Sequence, residues 1–180
     1  KKTIQYRMKF LTYYLLLLTY LSASTLNLSM SSSPSRLNPI LANDSASSEI
    51  SDWLFNGLFK YDKNGNPTVE LAKSYNFETP TKLIIKLRED VLWHDNVKLT
   101  SKDIIFTYEK IIDPKVFNSI KSNFQEVQSV KALDDYTIEV IYKNPYFKAL
   151  ETWMVGILPY HLLKDEKDLM TSLFNKNPIG

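Results

Sequence analysis

The stretch Lys82–Asp113, KLIIKLREDVLWHDNVKLTSKDIIFTYEKIID, most limits what this chain can become. Leu83, Ile85 and Leu87 alternate with Lys82, Lys86 and Arg88, and Ile84 is the one apolar residue of the outer set. A period of two predicts a half-buried strand, because successive side chains of extended backbone point to opposite faces. Trp93-His94-Asp95-Asn96 reads as a turn, with Asn96 suited to positive φ by its short polar side chain. Thr100-x-x-Asp103 has the spacing of a capping box with Asp in place of Glu. Ile104, Ile105, Tyr108, Ile111 and Ile112 recur at helical spacing, so one helix face is apolar. Pro114 disfavours helical backbone at the residue before it and ends the helix near Ile112.

The rest of the chain adds elements on both sides. Thr25–Met30 alternates and predicts a strand, broken by Ser31-Ser32-Ser33-Pro34. Arg36–Asp44 reads as an irregular loop. Asp44 or Ser45 can cap a helix from about Ala46 to Phe59, with Ile50, Trp53, Leu54, Leu58 and Phe59 as its apolar face. Lys63-Asn64-Gly65-Asn66-Pro67 is a turn. Val116–Gln125 predicts a loop or short helix. Val127–Leu133 and Tyr136–Tyr142 form a hairpin around Asp134-Asp135, with Ile138, Val140 and Tyr142 on one face. Pro145 suits a first helical turn and predicts a helix through about Thr152.

The first residues look like an address. Lys1, Lys2, Arg7 and Lys9 precede the apolar run Phe10–Leu21, and the small residues Ser22-Ala23-Ser24 follow. That order describes a secretory signal peptide. The run of 12 residues is short for a membrane span of about 20, an uncleaved anchor being the rival reading. Cleavage near Ser24 removes four of the 22 basic residues, leaving 18 against 20 acidic ones. No basic stripe interleaved with aromatics marks a nucleic-acid surface. The absence of cysteine excludes disulfides, thiolate metal sites and a lipid anchor on an N-terminal Cys.

Chemistry-bearing motifs are sparse. No nucleophile elbow, phosphate loop or glycine-rich fingerprint is present, and there are four glycines in all. His94 and His161 lie far apart in the sequence, and a metal needs three or four convergent ligands. His94 is expected in a local turn bond and His161 in a structural role at a helix start. At least two of Trp53, Trp93 and Trp153 are expected in the core. Asp134-Asp135 reads as a turn, not a carboxylate dyad. No catalytic residue, metal site or cofactor is expected, and the chain reads as a non-enzyme.

Leu87-Arg88-Glu89, Val91, His94-Asp95, Leu99-Thr100 and Asp103-Ile104-x-Phe106 resemble the signature region of the family 5 extracellular solute-binding proteins. These are the peptide- and nickel-binding receptors of ABC importers. Asp90 and Asn96 stand where that family usually has glycine. RLNPILANDSASSEISDWLFNGLFKYD (Arg36–Asp62), the Leu71-Ala72-x-Ser74-Tyr75 element and Ile157-Leu158-Pro159-x-His161-Leu162-Leu163 are similar to the same family, in the same order.

The resemblance implies a mixed α/β (α+β) chain forming the N-terminal part of a two-lobed periplasmic-binding-protein fold, class II with an extra small subdomain. It implies a signal peptide over 1–24, the first strand and loop of lobe I over 25–47, a small subdomain over 48–147, and a return to lobe I over 148–180, ending before lobe II. It implies a substrate-binding subunit that captures peptides in the periplasm for an inner-membrane ABC permease and ATPase, acting as a monomer. The ligand-facing positions carried over are Ala42, Asn43, Asp44, Ser45 and Ser47 at the helix start, with Met154 and Gly156 after the second helix. Plain capping by Asp44 or Ser45 is the competing role for those two. Peptide is favoured over a nickel chelate, because Arg36 and Arg88 are the only arginines past the signal and neither lies near Gly156 in the sequence. A truncated or tethered remnant that binds nothing, and a receptor for nickel or another solute, remain as alternatives.

Overall fold

Alternating apolar residues build the core sheet. In the computed structural model, which describes residues 29–30 and 32–180, residues 32–180 form one body. The expected signal peptide and most of the expected Thr25–Met30 strand lie outside the described residues. The elements are helix α1 (Ser45–Leu54), strands β1 (Phe59–Tyr61), β2 (Pro67–Val69), β3 (Ala72–Thr79) and β4 (Lys82–Leu87), helix α2 (Ser101–Ile112), strands β5 (Val127–Asp134) and β6 (Thr137–Tyr142), and helix α3 (Tyr160–Leu163). Short 3-10 turns cover Ile120–Phe124, Glu151–Met154 and Leu173–Asn175.

Strands β3, β4, β6 and β5 form, in that order, a four-stranded antiparallel sheet. Leu83 faces Val140 and Ile85 faces Ile138 across the β4–β6 ladder, and all four are fully buried. One sheet face is therefore dry, and α2 covers it with Ile104 and Ile111, both also fully buried. On the other face Lys82 bridges Glu78 at 2.9 Å and Glu139 at 2.8 Å. Strand β3 is the edge and is mostly exposed, with Tyr75 set edge-on to Phe59 and Phe77.

The central stretch folds as its pattern predicts. Asn96 takes positive φ, at 68°. The capping box forms at Thr100 and Asp103, its stronger arm being the Thr100 N–H donated to Asp103 Oδ2 at 2.8 Å. The Asp134-Asp135 turn is tied to α2, because Ser101 donates from its hydroxyl to the Asp134 carbonyl and from its N–H to the Asp135 carbonyl. Asp90 pairs with Arg88 through two bonds of 3.0 and 2.8 Å and has no positive φ, so the turn accepts a carboxylate where glycine is usual in the family.

Two helices differ from expectation. The first ends at Leu54, not Phe59, because Phe55 turns extended and Phe59 enters β1. Its expected apolar face is also not the buried one: α1 buries Ala46, Ser47 and Ser51 and leaves Trp53 59% exposed. The helix expected from Pro145 is instead a turn followed by the Glu151–Met154 3-10 turn. Here Tyr142 donates its hydroxyl to the Ala149 carbonyl at 2.6 Å and accepts from the Trp153 indole at 3.0 Å. Those bonds wind the chain tightly enough to bury Trp153. Burial pushes the Tyr142 phenol up.

Candidate functional site

A groove of about 260 Å³ lies between α1 and the Glu151–Gly156 segment. Its position follows from two glycines. A Cβ on Gly57 would fall 2.6 Å from the Met154 carbonyl, and one on Gly156 would fall 2.7 Å from Phe55 Cβ and 2.8 Å from Pro39 Cβ. Only hydrogen at both places lets the backbones close. The contact is sealed by the Leu58 N–H donated to the Trp153 carbonyl at 2.8 Å and the Ile157 N–H donated to the Asn56 carbonyl at 3.1 Å.

The loop before α1 is held from the far end of the chain. Asn38, fully buried, donates to Asn175 Oδ1 at 3.0 Å and accepts the Ile40 N–H at 3.1 Å. Asn175 in turn donates to the Leu169 carbonyl at 2.8 Å. This buried amide pair places Pro39 and Ala42 on the groove wall.

The expected site residues separate into two groups. Ala42, Met154 and Gly156 come together in the groove. Asp44 and Ser47 form the cap network of α1 instead, and Asn43 and Ser45 are exposed beside it. Asp44 Oδ1 accepts the Ser47 N–H at 2.9 Å, while its Oδ2 accepts the Ser47 and Ser35 hydroxyls, both at 2.6 Å. The hydroxyls of Ser35 and then Ser47 hold the Asp44 carboxyl down at about 2.

Other lining residues did not emerge from sequence reasoning: Ser51 and Asp52 on one wall, Glu151 and Thr152 on the other, Asn123 and Phe124 between them. A signal for them exists. Ser48, Ser51, Asp52 and Phe55 fall at i, i+3, i+4 and i+7, one helix face, but a mostly polar one. Partial burial raises the Asp52 carboxyl above the ordinary range, although the residue as a whole is exposed. The groove runs on into a neighbouring depression that shares Asn123, Glu151, Thr152 and Met154 and adds Tyr61 and Lys148. Desolvation and then the Glu151 carboxylate push the Tyr61 phenol up.

The histidines act elsewhere. His161 Nε2 and Asp95 Oδ2 lie 2.7 Å apart, beside Trp93. Hydrogen bonding to His161 is the main cause that lowers the Asp95 carboxyl. His94 Nδ1 accepts the Gly180 N–H at 3.2 Å, a distant partner instead of the expected local one. Trp93 and Trp153 are buried, as expected for two of the three tryptophans. Among the described residues no group of three or more His, Cys, Asp or Glu is placed to hold a metal ion, and no helix is long and apolar enough to cross a membrane. The site offers shape, hydrogen bonds and negative charge, an arrangement suited to binding.

Comparison with known proteins agrees with the fold and the motifs. Residues 66–180 match the model of the bacterial extracellular solute-binding proteins, family 5 Middle. The chain is 31% identical over 157 residues to the oligopeptide-binding protein AppA of Bacillus subtilis, covering 82% of this chain and 28% of the relative. Among solved structures, AppA from B. subtilis in complex with a nonapeptide superposes with a TM-score of 0.74 at 29% identity, covering 82% of this chain and 30% of that one. NikZ from Campylobacter jejuni in complex with Ni(L-His) gives a TM-score of 0.74 at 37% identity, covering 83% and 30%. That last identity does not favour peptide receptors over nickel-chelate receptors as the nearer kin of the chain. The chain spans under a third of the length of these relatives, as one part of the two-lobed binding-protein fold. With its motifs and its fold in agreement, the chain belongs to the bacterial extracellular solute-binding proteins of family 5.

Proposed function

We propose that this chain is part of the substrate-binding subunit of an ABC importer, capturing peptides in the periplasm for delivery to a membrane permease. The observation that carries the reading is the groove between α1 and Glu151–Gly156, which gathers Ala42, Met154 and Gly156 in a family 5 chain. Likeness to AppA, a structure holding a nonapeptide, supports the ligand class. The role is capture without turnover. In the proposed division, 25–47 and 148–180 belong to lobe I and 48–147 to its small subdomain, with 1–24 as the export signal. Ligand held between two lobes closes a hinge, and the closed form docks on the permease as a monomer. Asp44 acts mainly through α1: its cap fixes the helix whose next turns line the groove.

A second reading, a receptor for a nickel chelate, is favoured by one observation, the 37% identity to NikZ holding Ni(L-His). Calorimetric titration of the full-length protein with di- to pentapeptides, and separately with nickel plus histidine, distinguishes the two. Heat with peptides supports the first reading. Heat with the chelate and none with any peptide replaces it with the second. Silence with both leaves a remnant that binds neither.

A further inference from the structure

The groove carries negative charge that its own lining does not balance. Asp52 and Glu151 line it, and no lysine or arginine does. Among the described residues neither carboxylate has a basic partner within ion-pair distance. Lys148 is the basic side chain of the adjoining depression, and it lies over the Phe147 ring, 5.6 Å from its centre.

A second observation is independent of the acidic pair. Ser51 also lines the groove and is only 3% exposed, yet its buried hydroxyl has no hydrogen-bond partner. An unpartnered buried hydroxyl is costly unless something satisfies it, and most buried polar groups are paired. The neighbouring rings of Phe55 and Phe124 present aromatic surface in the same space. A carboxylate, a free hydroxyl oxygen and aromatic surface are together what an ammonium or guanidinium group meets well: an acceptor of charge-assisted bonds, a further acceptor and a π face. An anionic ligand group would meet two carboxylates there.

We propose that the Asp52 end of the groove is a subsite for a cationic group of the ligand, with Asp52 as the charge partner and Ser51 Oγ as a further acceptor. The inference rests on the peptide reading and deepens it, since the cation is then a lysine or arginine side chain or the peptide α-amino group. The raised Asp52 carboxyl agrees with a partly desolvated anion that gains from a counter-ion.

The experiment is calorimetry on the full-length protein with Ala-Lys-Ala and Ala-norleucine-Ala, each with a free and an acetylated N-terminus, against wild type, Asp52→Asn and Ser51→Ala. The Asp52 side chain makes no hydrogen bond or ion pair among the described residues, so Asp52→Asn is expected to fold. A side-chain cation gives about tenfold or tighter binding of the lysine peptides, the order expected of one charge-assisted contact. That preference survives acetylation, falls towards unity in Asp52→Asn and is reduced in Ser51→Ala. An α-amino cation gives instead an acetylation penalty that disappears in Asp52→Asn. Equal affinity for all four peptides, or a preference that Asp52→Asn leaves intact, overturns the subsite while the peptide reading stands. Silence with all four peptides and with the wider peptide set overturns both.

Discussion

The β3–β6 sheet with α2, and the α1 groove, are built on opposite rules. In the sheet, Leu83, Ile85, Ile138 and Val140 face one another with no exposure, and on the other face Lys82 pairs with Glu139 and Glu78. In the groove, α1 turns serines inward, leaves Trp53 in solvent, keeps the Ser51 hydroxyl without a hydrogen-bond partner and, among the described residues, leaves Asp52 and Glu151 without basic partners. Apolar area removed from water stabilises a fold without regard to direction. Unmatched polar groups do the reverse, and they are tolerated where a ligand can match them. On the proposed function, stability and recognition sit in different parts of one body.

The largest break in this contrast should come from the sheet. Ile85→Ala removes a fully buried side chain from the centre of the β4–β6 ladder and should cost about 2–5 kcal/mol in urea unfolding. Ligand affinity of the molecules that remain folded should be unchanged, and a parallel loss of affinity would show that the two regions are not separate.

Gly57→Ala tests the seam between them. Its new Cβ would meet the Met154 backbone at 2.6 Å, so the Glu151–Gly156 wall must move. A destabilisation of about 1–3 kcal/mol is expected, together with weaker ligand binding. Unchanged binding would mean that the wall is not part of the site.

Acid titration offers a finer test, because two carboxylates respond in opposite directions. Asp44 is held at about 2, below the ordinary 3.8, so the stability it lends to α1 is present above the ordinary value and is lost as pH falls towards about 2. Asn is as good an N-cap as Asp, so Asp44→Asn should keep α1 at neutral pH and flatten this acid loss, read as unfolding midpoint against pH. Asp103 is raised by burial despite accepting the Thr100 and Tyr160 N–H groups, so its contribution is present below the ordinary range and is lost as pH rises through its own higher value. If Asp44→Asn leaves the acid limb as steep as in wild type, the cap is not what acid removes.

The smallest effect should come from Trp53. It is 59% exposed, and Trp53→Ser should change stability by no more than about 0.5 kcal/mol. A larger loss would mean that α1 packs by its apolar residues after all, and would weaken the contrast.

What could be read from the residues themselves was local and periodic. The alternation in Lys82–Leu87 and Thr137–Tyr142, the left-handed Asn96, the Thr100–Asp103 cap and the family motifs all depend on neighbours within a few positions, where backbone sterics and short-range bonds decide. The positions carried over as ligand-facing divide the same way: Asp44 and Ser47 satisfy each other three residues apart, while Ala42, Met154 and Gly156 meet only when the chain returns. Tertiary structure alone decided the rest. Asn56-Gly57 is a local stop signal just past Phe55, but it does not by itself outweigh the apolar periodicity running on to Phe59. The end is imposed by Gly57 lying against Met154 and by Phe59 entering a strand. Nothing near Pro145 says that a helix fails there. Tyr142 decides it, by drawing the Ala149 carbonyl and the Trp153 indole to one hydroxyl. The polar face of α1 became a groove wall for the same physical reason: what a side chain faces is set by the segment packed opposite it, and periodicity within one helix cannot report the other side of a contact.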